Sequence, residues 1–294
     1  MKIGYPCINR SVGCTANHTF RLSSYSQKKI IDTVNSNLDC LEKILDFNLS
    51  NQLLFFRISS DVIPFASHPV CKFSWQDYFK PRLARIGNFI KKYKMRISMH
   101  PDQFVLINSP REDVWQRSLA ELEYHQQFLD LLGLRQDAKI QIHVGGVYGD
   151  KAASIKRFIE RYRKLNNNIK KRLVIENDHR LYSVADCSVI YQNTGVPIIL
   201  DSFHHQCLNN GEAIAEVLKK TKISWSRDDG VPMVDYSQQQ KNATVGRHAI
   251  DLDKEIFKKF LKESHGFDFD IMLEIKNKER SALKALDIIK SLKK

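Results

Sequence analysis

Six apolar segments of this 294-residue chain run into a residue that can hold a metal ion or move a proton. Segment 96–100 (RISMH) stops on His100, and segment 139–145 (KIQIHVG) carries His143. Segment 172–177 (RLVIEN) reaches Glu176, 197–202 (PIILDS) Asp201, 231–237 (VPMVDYS) Asp235 and 270–276 (DIMLEIK) Glu274. His204 follows three residues after Asp201, His248 lies in the stretch after Asp235, and His68 follows the apolar segment 53–59. With 33 acidic residues and 10 histidines in the chain, scattered placement does not produce six consecutive endings of this kind. One such residue alone is more often a structural hydrogen bonder; the set carries the reading.

Carboxylates gathered in a confined site repel one another and lose hydration, so either several are protonated or cations sit among them. Imidazoles interleaved with carboxylates, without cysteine, suit divalent manganese, zinc or magnesium-like ions. The eight candidates His100, His143, Glu176, Asp201, His204, Asp235, His248 and Glu274 are too many for one ion. Two or three clustered ions fit better, with Glu176 or Glu274 bridging. Such ions clamp a phosphoryl group and lower the pKa of a bound water. Glu176 and Glu274 are therefore the expected catalytic carboxylates, and His68 is a base or a phosphate contact. Lys276 and Lys278, just beyond Glu274, either assist by holding a phosphate or form a solvated basic loop. His18, His125, His179, His205 and His265 lack a strand-end position and read as ordinary.

These endings meet only if the segments are neighbouring strands. Eight segments read as strands: 2–7, 53–59, 96–100, 139–145, 172–177, 197–202, 231–237 and 270–276. They are nearly continuous apolar runs, as expected of parallel strands covered on both faces. Helical periodicity lies between them. Ile30, Val34, Leu38, Leu41 and Leu45 recur at spacings of three and four, and so, more loosely, do Val114, Leu119, Leu122 and Leu129 before Gly133. Further helices are expected over 75–93, 150–166, 183–193, 211–220 and 253–264, and 279–294 closes the chain. Eight strand–helix units without a linker predict an α/β fold, a single (β/α)8 TIM barrel spanning 1–294. In such barrels the site lies at the carboxyl ends of the strands. The polar stretch 226–247 holds a strand and then a long loop, a usual place for function.

Lys and Arg number 46 against 33 acidic residues, a net charge of +13. That excess favours a polyanion, above all nucleic acid, although a Lys-rich proteome yields the same balance. The six cysteines form no C-x-x-C pair and read as reduced core residues. No apolar run approaches the ~20 residues that cross a bilayer. The chain opens directly on a strand without a charged-then-apolar leader, so the expected location is the cytoplasm.

The motifs KIGYPCIN (2–9), SHP (67–69), MHPDQF (99–104), IHVGG (142–146), IEND (175–178), LDSFHH (200–205), VDYSQQ (234–239) and LEIKNKE (273–279) resemble, in order and over the whole chain, the UV damage endonucleases. That family is related to the endonuclease IV apurinic nucleases. The resemblance implies a metal-dependent hydrolase that nicks duplex DNA immediately 5′ to ultraviolet photoproducts, with a cluster of divalent ions, typically manganese. It implies one ion at His100, His143 and Glu176, a second among Glu176, Asp201, Asp235 and Glu274, and a third at His204 and His248. It places Tyr5, Asn9, Gln103 and Phe104 against the damaged site and His68 near the scissile phosphate; Lys278, from its own place just beyond Glu274, is an expected DNA contact. Many members carry a carboxylatable lysine and a histidine where this chain has Met233 and Asp235, a change toward oxygen ligands that favours manganese. The probing pair often ends in tyrosine; here Phe104 keeps the ring. An apurinic endonuclease and a metal-dependent sugar isomerase of the same barrel superfamily are the alternatives. The expected partner is damaged double-stranded DNA, with no membrane, no obligate protein partner and a monomeric state.

Overall fold

The computed structural model describes residues 1–292; Lys293 and Lys294, the end of the expected last helix, lie outside the described residues. Eight parallel strands close into a barrel in chain order. They are β1 Ile3–Pro6, β2 Phe55–Ile58, β3 Arg96–Met99, β4 Lys139–His143, β5 Leu173–Glu176, β6 Ile198–Asp201, β7 Met233–Tyr236 and β8 Asp270–Leu273. Ile3 pairs with Ile271 to close the ring. Each expected strand is present and shorter at its ends. At Gly4 the β1 backbone approaches β2 so closely that a Cβ would stand 2.4 Å from the Phe55 carbonyl oxygen.

The outer layer comprises α1 Gln27–Ser50, α2 Trp75–Lys92, α3 Glu112–Leu131, α4 Lys151–Lys164, α5 Asn167–Arg172, α6 Val184–Thr194, α7 Ser202–Cys207, α8 Ile214–Ile223, α9 Lys254–Glu263 and α10 Glu279–Leu292. The stripe Ile30, Val34, Leu38, Leu41 and Leu45 is buried, as its spacing requires. Two short helices were not anticipated, α5 and α7. The second begins where Asp201 caps it, accepting hydrogen bonds from the backbone N–H of Phe203 and His204.

Side chains alternate across each strand, so residues two apart share a face. Phe56, Ile58, Ile175, Leu200, Val234 and Leu273 belong to the large core shared with the helices. Phe55, Val174, Ile199, Met233 and Met272 form a separate apolar cluster inside the barrel. Two residues further along the same strands come Arg57, Glu176, Asp201, Asp235 and Glu274. The apolar five thus form the floor beneath a polar layer. Near the amino-terminal ends of the strands lies a second ionic layer, with Arg96 paired to Asp270 at 2.8 Å and Lys139 to Asp229.

One cysteine expectation is corrected. Cys14 and Cys40 form a disulfide, while Cys7, Cys71, Cys187 and Cys207 are free. The segment after β1 folds back on α1 and brings two residues 26 apart in sequence to a Cα separation of 5.9 Å. Spacing rules do not register an approach made only by tertiary packing.

His125 is wholly buried on α3, with Nδ1 2.7 Å from the Glu121 carbonyl. Burial pushes its pKa down from 6.5 to about 4. The folded state therefore binds fewer protons here than the unfolded chain, and stability present above pH ~6.5 is lost as pH falls toward ~4. At roughly 1.4 kcal/mol per pKa unit the loss reaches about 3 kcal/mol. Urea unfolding of His125→Gln across this pH range should show a shallower acid dependence than the parent, whatever its absolute stability.

Candidate metal centre

Glu176 ends β5 and is the hub of the polar layer. Its Oε1 lies 3.2 Å from His100 Nε2 and 2.7 Å from His143 Nδ1. His100 stands immediately after β3, where Nδ1 is 2.7 Å from the Pro101 carbonyl, and this fixes which face of the ring meets Glu176. A second group joins Glu176 to Asp201 and Asp235. In each group of three the potential ligand atoms lie within 4.8 Å of one another. Asp201 Oδ1 accepts the backbone N–H of Phe203 at 2.8 Å and of His204 at 2.7 Å. Asp201 Oδ2 is buried without a hydrogen-bond partner among the described residues. His143 Nδ1 likewise lacks hydrogen-bond geometry despite its proximity to Glu176. Orphaned ligand atoms in a buried acidic layer are what a divalent cation would satisfy, so the residues present fit one.

One member of the layer escaped the strand-end reading. Arg57, on β2, is 2% exposed, and its Nη2 donates to both carboxyl oxygens of Asp235 at 2.9 Å and to Gln141 Oε1 at 2.7 Å. Nη1 donates to Glu274. Gln141 in turn donates to Glu176 and to Asp235. Part of the positive charge demanded by the carboxylates is therefore covalent to the chain. The signal was available: Arg57 interrupts the apolar run LLFFRIS, and Gln141 interrupts KIQIHVG.

The titrations follow. Burial disfavours ionised Glu176, but His143 and His100 outweigh it and hold the carboxyl well below its usual range. Burial lowers His143, but Glu176 reverses this and holds the ring up to about 9. Burial would raise Glu274, and Arg57 brings it down to about 2. Asp201 is pushed well up by burial and by Glu274 and Glu176. Asp235 is also pushed well up, chiefly by burial and against the pull of Arg57.

Above the layer opens a cavity of about 740 Å3, lined among others by Arg57, His100, Gln103, Phe104, His248, Glu274, Lys276 and Lys278. Phe104 is 75% exposed. Lys276 Nζ donates to Gln240 Oε1 at 3.0 Å, and burial lowers the Lys278 pKa. His68 is exposed in the loop after β2, its Nδ1 accepting the Val70 N–H at 3.0 Å, and it is not among the residues lining this cavity. Tyr5 and Asn9 are both buried, with the Tyr5 hydroxyl donating to Asn48 Oδ1 at 2.6 Å and accepting from Asn9 Nδ2 at 2.7 Å. Tyr5 alternates with the inward side chains of β1 and points to the helices, so the pair braces the barrel wall. The His179 ring, in the loop after β5, lies 5.3 Å from that of His204.

Arg57→Met would leave Asp235 and Glu274 without their fixed counter-charge. Breaking a buried pair in this way costs about 3–5 kcal/mol. The expected outcome is a lower melting temperature in chelator, partly restored by added divalent ion, as calorimetry of parent and variant would show.

A family model for UV-endonuclease UvdE matches residues 1–294. The UV DNA damage endonuclease of Clostridium perfringens (strain 13 / Type A) is 40% identical over 296 residues, covering 100% of this chain and 72% of that protein. That of Bacillus cereus (strain B4264) is 32% identical over 269 residues, covering 91% and 85%. The solved structure of SacUVDE superposes with a TM-score of 0.96 at 47% identity, covering 100% of this chain and 99% of that one. Endonuclease IV from Thermus thermophilus shares the fold at a TM-score of 0.55 and 16% identity, covering 85% of this chain and 92% of its own. A chain with this match from end to end, and with imidazoles and carboxylates collected at the carboxyl ends of its barrel strands, belongs to the UV-endonuclease UvdE family.

Proposed function

We propose that this protein is a DNA repair endonuclease that nicks the backbone immediately 5′ to ultraviolet photoproducts by metal-dependent phosphodiester hydrolysis, acting in the cytoplasm as a monomer. The observation that carries the reading is the partly buried His100–His143–Glu176 group beside the buried Glu176–Asp201–Asp235 group in a chain of this family. His100, His143 and Glu176 would hold one divalent ion; Glu176, Asp201, Asp235 and Glu274 a second; His204 and His248 take part in a third. The predominance of oxygen donors in the second set supports manganese. Such ions supply Lewis acidity and an activated water at the phosphorus.

The chain's own groups do the rest. Arg57 holds Glu274 and Asp235 in place, so these carboxylates do not reorganise when a phosphate arrives. Lys276 and Lys278 line the cavity and can neutralise a phosphodiester. His68, exposed in the loop after β2, would contact the scissile phosphate. Gln103 and Phe104 extend the loop after β3 over the cavity. The exposed ring can stack into the gap left when a damaged dinucleotide leaves the helix, and flipping costs least at a lesion.

Nicking of duplexes carrying a cyclobutane dimer, a 6-4 photoproduct or an abasic site tests the reading. Both photoproducts should be cut and undamaged DNA spared; cutting of the abasic duplex alone would assign the barrel to apurinic repair. Glu176→Gln should abolish nicking while retaining DNA binding, and near-normal nicking by that variant would sink the site assignment. Replacing Gln103 and Phe104 together by Ala should weaken binding to damaged duplex about tenfold more than to undamaged duplex, with metal content unchanged, since one stacked base is worth about 1–3 kcal/mol. An equal loss on both duplexes would return the pair to scaffolding.

A further inference from the structure

We propose that His179, in the loop after β5, is a metal ligand, completing with His204 and His248 an imidazole site for a divalent ion at the mouth of the barrel. The inference rests on the metal-dependent reading above and deepens it.

The two groups around Glu176 use neither His204 nor His248. Both rings are nevertheless prepared for a ligand. His204 Nδ1 lies 3.1 Å from the Asn177 carbonyl, and His248 Nδ1 lies 2.8 Å from the Glu274 carbonyl. An Nδ1–H donating to a backbone carbonyl leaves Nε2 as the bare acceptor, an arrangement that recurs around metal-binding histidines. The His204 and His248 ring centroids are 5.6 Å apart.

Two imidazoles do not complete an ion's shell, and a catalytic site usually has three protein ligands and one open position. The third ring present is His179, 5.3 Å from His204 on centroids. It makes no side-chain hydrogen bond among the described residues, so its nitrogens are uncommitted. Its seat is built by the hairpin that carries His248. Gly246 has φ +87°, and a Cβ there would come within 2.6 Å of His179 Cδ2. The hairpin is stiffened by Gln239, whose Nε2 donates to the carbonyls of Gln240 at 3.0 Å and Thr244 at 3.0 Å and whose Oε1 accepts the Gly246 N–H at 3.0 Å. One rigid loop therefore fixes His248 directly and His179 by contact, with His204 between them. Neutral nitrogen donors suit a borderline ion such as zinc better than magnesium, in contrast to the oxygen-rich layer below.

The test counts ions rather than turnovers. Full-length protein stripped with chelator is dialysed against zinc chloride, and zinc per chain is measured by mass spectrometry for the parent, His179→Ala, His179→Gln, His248→Ala and the His179→Ala/His248→Ala pair. Each single variant should retain one ion fewer than the parent, and the pair should lose no more than either alone, because all three rings hold the same ion. A full complement in both His179 variants would overturn the proposal, as would a loss of two ions in the pair. An intact count accompanied by weaker DNA binding would make His179 a phosphate contact and overturn it equally. A His179-dependent ion in a protein that cuts no photoproduct would refute the repair function and leave this site standing.

Discussion

Glu176, Asp201 and Asp235 are buried in one layer with the partly exposed Glu274, and that layer holds only where positive charge is supplied. Arg57 supplies part of it permanently, through a guanidinium that reaches Asp235, Glu274 and Gln141 at once. A planar fork with fixed donors suits this task better than an ammonium, which meets fewer acceptors in a defined geometry. The His143 imidazole, held up to about 9 by Glu176, supplies a second, exchangeable share. Burial pushes the Asp201 and Asp235 carboxyls up, so a cation placed among them would compete with protons.

The barrel makes this possible by separating charge into layers. The apolar floor of Phe55, Val174, Ile199, Met233 and Met272 keeps the upper layer from the ion pairs of Arg96 and Lys139 near the opposite end. Without that floor the two layers would share partners, and neither set of carboxylates would have a defined orientation. Upward, the layer opens into a cavity whose rim carries Gln103, Phe104, Lys276 and Lys278. Acid in the polar layer and basic and aromatic groups at the mouth divide the work in space. The layer could hold cations, while the mouth suits a polyanion, in keeping with the +13 charge of the chain. The row of rings from His100 through His143 and His204 to His248, with neighbouring centroids 5.2–6.2 Å apart, joins the two.

Much of this was legible in the order of residues. Strand positions, barrel closure and the strand-end ligands rest on local periodicity, and a parallel barrel converts that periodicity directly into a shared end. His100, His143, Glu176, Asp201 and Asp235 could therefore be named as one set before any distance was known, since each is the polar end of an apolar strand. The resemblance to a known family of nucleases came from the same short motifs.

The tertiary structure alone decided which way the remaining polar residues face. Arg57 reads locally as an interruption in an apolar run, yet closure of the barrel aims it at carboxylates 178 and 217 residues away. Tyr5 and Asn9 match positions associated with DNA, and the barrel turns Tyr5 outward to the helical layer, where its hydroxyl links Asn9 to Asn48 of α1. Cys14 meets Cys40, and His179 meets His204, because loops fold back on helices and on one another. Sequence pattern determines what repeats along one element, because pleat and helix pitch are properties of the local backbone. Contacts between elements depend on how the ring closes, and that is settled by the packing of the whole chain.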